Sequence, residues 1–281
     1  MEEKDRNFET SETDTKTSVD PARVDRWIDN ALSGIQDIPL DPESGISREQ
    51  VLNGARVIAG HLEEYKDLMM REECAIREVR TKLEVLNTEY SVKSLRNPIS
   101  RITSRLKSTS SIIQKMIRYG AEFSIDGIEN SLNDIAGIRV VCEYIDDIYT
   151  IADALLSQTD ITLIRKKDYI ENPKPNGYRS LHLIISVPVF FSNQTKNMKV
   201  EVQIRTIAMD FWASLEHQLK YKQHIKDQER IVKELKDCAE TISGIDKKML
   251  GLRNEISKGP DLESEEKALM DELNQFDFSF E

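Results

Sequence analysis

Residues 198–206 read MKVEVQIRT. Val200, Val202 and Ile204 alternate with Glu201, Gln203 and Arg205, a period of two that makes a strand apolar on one face and polar on the other. The run before it, LHLIISVPVFF (181–191), is joined to it by the polar SNQTKN (192–197), so the two segments predict a hairpin. A strand that lines up a carboxylate, a carboxamide and a guanidinium on one face raises the question of whether that face meets water or a ligand.

Toward the N-terminus, ISRITSRL (99–106) and AGIRVVCEYI (136–145) predict strands, and ITLIRKKDYI (161–170) begins as one. STSSIIQKMIRYG (108–120) predicts a short helix with Ser108 or Ser110 at its N-cap and Gly120 beyond its end. DDIYTIADALLSQ (146–158) and TIAMDFWASLEHQLKYK (206–222) predict two more. Roughly five strands and three helices in the order strand, helix, strand, helix, strand, hairpin, helix predict an α+β fold with a mixed sheet and surrounding helices. Both flanks are expected to be helical. In DPARVDRWIDNALSGI (20–35), Asp20 caps, Pro21 takes the first helical position, and Val24, Trp27, Ile28 and Leu32 form a stripe. Ser47 with Gln50 three residues on forms a capping-box pattern that opens a long helical region, with room for a break, to about Glu89 before LRNP (95–98) ends it. A highly charged helix is expected over roughly 225–257, and a last short one after Gly259-Pro260. The organisation expected is an acidic disordered tail (1–19), a helical N-terminal region (20–95), a central core (96–222) and C-terminal helices (223–281), with no internal repeat.

The net charge of −11 over 281 residues is unevenly spread. Residues 1–95 carry −8 (13 basic, 21 acidic), 96–222 carry +3 (17 basic, 14 acidic), and 223–281 carry −6 (9 basic, 15 acidic). A mildly basic centre between acidic flanks suits an anionic small molecule better than a long nucleic acid. Cys74, Cys142 and Cys238 are far apart, odd in number and free of any CxxC, which argues against disulfides and a cysteine-based zinc site. His61, His182, His217 and His224 form neither HExxH nor a His-Asp pair. The polar start MEEKDRNFETSETDTKTS does not read as a signal peptide, and no apolar run approaches a membrane span, so a soluble, cytoplasmic protein is expected.

Three segments carry polar groups that could converge with Glu201. In SLNDIAGIRVV (131–141), Asp134 stands just before a strand, Gly137 permits close backbone approach, and Arg139 lies on the strand. Alone, Asp134 reads as an ordinary turn or cap residue. In SRLKSTSSIIQK (104–115), Arg105 and Lys107 share a strand face, and Ser111 and Lys115 follow on a helix start; together with backbone N–H groups they could cradle phosphate, although no GxxxxGK[ST] is present. In KPNGYRSLHL (174–183), a tight turn at Pro175-Asn176-Gly177 presents Tyr178 beside Lys174 and His182, an aromatic face for a base with cations for its phosphates. Carboxylates interleaved with cations are what a metal–nucleotide site requires.

SRLKS followed by Lys115, NDIAGIRVVC, RKKDYI with PKPNGYRSLHL, and EVQIRT with DFWASLEHQLKYK resemble, in order and spacing, the synthetase domain of the RelA/SpoT-type alarmone synthetases. The resemblance covers about residues 70–257 and points to a short, single-domain member. It implies a nucleotidyltransferase-like synthetase fold and transfer of pyrophosphate from ATP to the ribose 3′-OH of GDP or GTP. It further implies Mg²⁺ held by Asp134, with Glu201 as general base or second metal ligand. ATP would meet Arg105, Lys107, Ser111, Lys115 and Arg139, the two arginines sandwiching adenine. The acceptor would meet Lys174, Tyr178, His182 and Gln203, with Tyr178 stacked on guanine and Arg205 bracing the same face. A homo-oligomer, tetramer or dimer, assembled through the helical flanks is implied as well. Two positions depart from patterns in the family: Asp210 stands where some short members have Asn, and Arg101 where product-activated tetramers have an aromatic residue. Two other functions fit the same motifs: a toxin-type relative that pyrophosphorylates the 3′ end of tRNA or makes adenosine alarmones, and a non-catalytic nucleotide- or RNA-binding regulator.

Overall fold

The computed structural model describes residues 45–93, 96–221 and 228–257. The expected tail, the helix over 20–35 and the helix after Gly259-Pro260 lie outside the described residues. Ser47 caps α1 (Arg48–Gly60) through the reciprocal bonds of a capping box: the Gln50 N–H donates to Ser47 Oγ (3.2 Å) and the Ser47 N–H to Gln50 Oε1 (2.8 Å). The chain breaks at His61 and continues as the 32-residue α2 (Leu62–Lys93), so the long helical region is two helices.

Then come β1 (Ile99–Leu106), α3 (Thr109–Tyr119), α4 (Ile125–Ser131), β2 (Ala136–Cys142), α5 (Ile145–Leu156), β3 (Thr162–Asp168), β4 (Leu181–Phe190), β5 (Thr195–Thr206), α6 (Ile207–Tyr221) and α7 (Gln228–Ile256). Ser108 is the N-cap of α3, its Oγ accepting the Ser111 N–H at 3.3 Å, and Gly120 closes the helix in the left-handed conformation at φ 60°. The seven-residue α4 was not expected from the sequence. It is too short to show a period, contains Gly127, and buries Ile128 alone.

The strands form one mixed sheet in the order β1-β2-β5-β4-β3, in which β2 and β5 are parallel and every other pair antiparallel. Parallel pairing of β2 with β5 places the NDIAGIRVVC segment directly beside EVQIRT. The apolar face, with Ile138, Val140, Val200, Val202, Ile204, Leu181, Leu183 and Ile185, packs on Ala75, Ile76, Val79 and Leu83 of α2 and on Ile148, Ile151, Ala152 and Leu155 of α5. Each such side chain contributes roughly 1.5–3 kcal/mol through burial, which fixes the register, because a one-residue slip would turn the polar row inward. A second core joins α1, α3, α4 and the first half of α2 around Tyr65, Leu68, Ile112, Ile113 and Met116. That core seats the start of α3 and the turn before β2 at one end of the sheet.

Candidate active site

Opposite the α2–α5 face, the register lays polar residues in rows across the strands. One row runs Arg105, Gly137, Glu201, Ile184, Arg165; the next runs Thr103, Arg139, Gln203, His182, Lys167. The alternation in MKVEVQIRT therefore sets Glu201, Gln203 and Arg205 on the face away from the helical layer.

Glu201, Gln203, Arg205, Tyr178 and His182 close a ring of hydrogen bonds. Arg205 Nη2 donates to Gln203 Oε1 (2.7 Å) and to the Tyr178 hydroxyl (3.2 Å), and Gln203 Nε2 donates to Glu201 Oε2 (3.0 Å). His182 Nδ1 lies 3.2 Å from Glu201 Oε1, and His182 Nε2 lies 2.9 Å from the Tyr178 hydroxyl. Within the ring, Nδ1–H of His182 can donate to Glu201, and the Tyr178 hydroxyl accepts from Arg205. Burial pushes the Glu201 carboxyl upward, but the hydrogen bond and charge of His182 and the bond from Gln203 outweigh it and hold the group below the ordinary carboxylate range.

Asp134, two residues before β2, is held differently. Its Oδ2 receives Lys107 Nζ (2.8 Å) from the end of β1 and Lys115 Nζ (2.7 Å) from α3. Burial again acts upward and is outweighed, here by the hydrogen bonds and charges of the two lysines, so Asp134 also stays ionised well into acid. Its Oδ1 is buried with no hydrogen-bond partner. Asp134, Lys115, His182 and Glu201 line one open cleft of about 320 Å³ together with Tyr119, Asn133, Arg165 and Lys167.

Beside the ring, the turn at Gly177 (φ 88°) is closed by its N–H donating to the Lys174 carbonyl at 2.8 Å. Lys174 Nζ sits 4.8 Å from the ring centroids of both Tyr169 and Tyr178. The helices brace this turn: Asn176 Nδ2 donates to Glu216 Oε1 (3.0 Å), Arg179 Nη1 donates to the Ala239 carbonyl (3.3 Å), and a Cβ on Gly177 would lie 2.5 Å from that of Ala239. Burial raises the Tyr178 hydroxyl, with Arg205 pulling partly against it. The two residues that depart from family patterns meet one another: Arg101 Nη2 lies 2.6 Å from Asp210 Oδ2, and Asp210 Oδ1 faces Arg139 (3.5 Å) and Arg205 (3.6 Å).

Of the residues singled out in the sequence, Asp134, Lys107 and Lys115 meet directly, as do Glu201, Gln203, His182 and Tyr178, with Lys174 over the last. Arg105 and Arg139 stand on adjacent strands of the same face, but Arg105 makes no ion pair among the described residues. Ser111 is in the first turn of α3, its hydroxyl accepting from Ser108 Oγ (2.8 Å), and is not among the residues lining the cleft. Sequence reasoning did not reach Tyr119 or Asn133, since a lone aromatic at a helix end and an Asn in a turn carry no signal. Arg165 and Lys167 belong to the RKKDYI motif but were given no role of their own.

Asp134 and Glu201 are hard oxygen donors suited to Mg²⁺, and the free buried Asp134 Oδ1 is an acceptor for which the protein offers no donor. Among the described residues no group of three or more His, Cys, Asp or Glu side chains is gathered to hold a metal ion. That suits an ion held by one or two carboxylates and completed by substrate phosphates, the usual habit of Mg²⁺.

Comparison with known proteins shows the family of the chain. The family described as the region found in RelA / SpoT proteins matches residues 104–226. GTP pyrophosphokinase YwaC of Bacillus subtilis is 42% identical over 195 residues, covering 69% of this chain and 93% of its own, and YjbM of the same organism is 35% identical over 184 residues, covering 66% and 86%. The crystal structure of small alarmone synthetase 2 from Bacillus subtilis superposes with a TM-score of 0.62 at 42% identity, over 68% of this chain and 99% of that one. Small alarmone synthetase 1, bound to its product pppGpp, gives 0.64 at 33% identity over 70% and 100%. With nearly the whole length of these relatives accounted for, the chain belongs to the RelA/SpoT family, among its small alarmone synthetases.

Proposed function

We propose that this chain transfers the β,γ-pyrophosphoryl group of ATP to the ribose 3′-hydroxyl of GDP or GTP, making ppGpp or pppGpp, with Glu201 as the base and Asp134 on the donor phosphates. The observation that carries this reading is that two carboxylates held below the ordinary range line one cleft in unlike surroundings, one met by two lysines and the other by His182 and Gln203 of a hydrogen-bonded ring. Relatives named as GTP pyrophosphokinases support the reaction class.

Glu201, kept ionised and oriented by His182 and Gln203, takes the 3′-hydroxyl proton as that oxygen bonds to the β-phosphorus and AMP leaves. Lys107 and Lys115 meet the donor phosphates, and Arg105 and Arg139 flank the adenine. Tyr178 stacks on guanine, with Lys174 beside it; Arg165 and Lys167 face the acceptor's 5′-phosphates. Mg²⁺ bound at Asp134 would supply charge neutralisation on the transferring group. The rest of the rate comes from holding the hydroxyl and the β-phosphorus in line.

Incubation with γ-³²P-labelled ATP, Mg²⁺ and GDP, GTP or bulk tRNA tests the reading. Label on guanosine tetra- or pentaphosphate, lost in Glu201→Ala, is expected. Label on tRNA alone would move the chain to the toxin-type reaction, and no transfer to any acceptor would refute the reading.

Assembly into a homo-oligomer belongs to the same proposal. Exposed Ile207, Phe211, Leu215 and Leu219 recur every fourth residue on α6, and exposed Ile245, Met249, Leu252 and Ile256 form a stripe along α7. Apolar stripes of this kind are docking faces more often than solvated ones. Light scattering of the protein against Leu252→Glu tests it: a larger species for the parent and a smaller one for the variant is expected.

A further inference from the structure

Behind Asp134, outside the cleft, lies a second polar group of side chains that the reaction does not use. Its centre is Glu129, on the α4 that sequence reasoning missed. The Glu129 carboxylate receives Lys196 Nζ (2.7 and 3.0 Å) from β5 and Arg71 Nη2 (3.3 Å) from α2. Lys199 Nζ donates to the Glu129 backbone carbonyl (2.8 Å) and to Asn133 Oδ1 (3.1 Å). Asn133 lines both this cavity and the nucleotide cleft.

Two facts of placement give Lys199 its importance. It stands two residues before Glu201 on the same face of β5, about 6–7 Å along the strand. Its ammonium grips the residue immediately before Asp134. Lys199 therefore ties the residue beside one carboxylate to the strand that carries the other, one turn closer to Asp134 than the Lys196–Glu129 pair. The backbone ladder between the two begins at β2, where Ala136 pairs with Val200. Between Ser131 and that first rung the chain passes through an irregular turn with no ladder of its own.

We infer that Lys199 is a positioning residue, which through Asn133 and the Glu129 carbonyl sets the separation of the Asp134 and Glu201 carboxylates. This rests on the proposed roles of the two carboxylates. A ligand spanning both would feel a shift of the turn directly, and misplacement on the order of 1 Å costs roughly 10²-fold in a reaction governed by alignment.

The experiment compares the wild type with Lys199→Met, Lys199→Arg and Asn133→Ala in two measurements. The first is calorimetric titration with Mn²⁺·AMPCPP, which needs no transfer. The second is the rate of label transfer at saturating ATP and GDP. Lys199→Met is expected to weaken Mn²⁺·AMPCPP by roughly tenfold and to lower kcat by roughly 10-fold to 10²-fold, leaving KM for GDP within about twofold. Asn133→Ala is expected to move both in the same direction by less, and Lys199→Arg to recover part of the loss. Asn133→Ala keeps the Lys199 bond to Glu129 and carries the test alone if Lys199→Met fails to fold. Unchanged metal–nucleotide affinity and kcat in a folded Lys199→Met or Asn133→Ala protein would overturn the inference, as would losses that track the fall in Tm across all three. Wild-type protein that binds Mn²⁺·AMPCPP but transfers nothing would refute the proposed reaction while the titration still decides the role of Lys199.

Discussion

Asp134 and Glu201 line one cleft and are both kept ionised, yet by different means. Asp134 is met by two ammonium groups crowded on one oxygen, with the other oxygen unpartnered. Glu201 is met on each oxygen by a donor that is itself held, in a ring whose members come from β4, β5 and the turn before β4. Lysines are point charges on flexible stems, so Asp134 can exchange them for a cation while they move to phosphates. Glu201 cannot exchange its partners without opening the ring. The first carboxylate is built to change partners and the second to stay in place, which suits one to a metal–phosphate group and the other to a single aimed proton transfer.

Glu72 supplies the contrasting case. It is 5% exposed on α2, and one of its carboxylate oxygens has no partner. Burial first, then the charge of Glu129, raise its carboxyl to about 7, against the partial opposition of Lys199, the Ala136 N–H and Arg71. Glu72, buried on the opposite face of the sheet beside another carboxylate, is thus raised, whereas Asp134 and Glu201, each met by donors that outweigh burial, are lowered.

The largest effect should come from breaking the fixed member. Glu201→Gln keeps the size and one of the two hydrogen bonds but removes the base, and label transfer at saturating substrates should fall about 10³-fold. Asp134→Asn should cost roughly 10²-fold in the same assay, since the lysines still meet the phosphates while the metal loses a charged ligand. For Glu72 the expected change is in stability. With the folded carboxyl at about 7 against an ordinary 4.5, the folded chain holds a proton that the unfolded chain has released. Stability is therefore lost as pH rises between those values, by up to about 3 kcal/mol at pH 8. Denaturant titrations of wild type and Glu72→Gln should give an advantage to the variant that grows from pH 5 to pH 8. Smallest is the split at Tyr178. Tyr178→Ala should raise KM for GDP roughly 10-fold through lost stacking, while Tyr178→Phe, which loses one hydroxyl from the ring, should leave that KM within about threefold and lower kcat a few-fold.

How far the sequence reveals this site follows the same division. The hydrogen-bonded ring was legible because a period of two in MKVEVQIRT fixes which side chains share a face, and Tyr178 and His182 share parity across the start of β4. Strand order was not legible: nothing local dictates that β5 should lie parallel to β2, and that pairing is what brings Asp134 to Glu201. Lys107 and Lys115 looked like a phosphate cradle, but that both would rest on Asp134 depends on the angle between β1 and α3, set by the second core. The pairing of Arg101 with Asp210, 109 residues apart, joins two positions that read separately as departures from a family pattern. The brace around Glu129 was hidden for a simpler reason: α4 has seven residues, too few for any period to declare it.

The most direct test of the central claim is a Mg²⁺ titration of the single-turnover rate of label transfer in Asp134→Asn and Glu201→Gln, side by side. If Asp134 exchanges partners with a metal and Glu201 serves as the fixed base, high Mg²⁺ will restore part of the rate in Asp134→Asn and none in Glu201→Gln. An equal response of the two variants, whether both recover or neither does, would contradict the division of labour between the carboxylates.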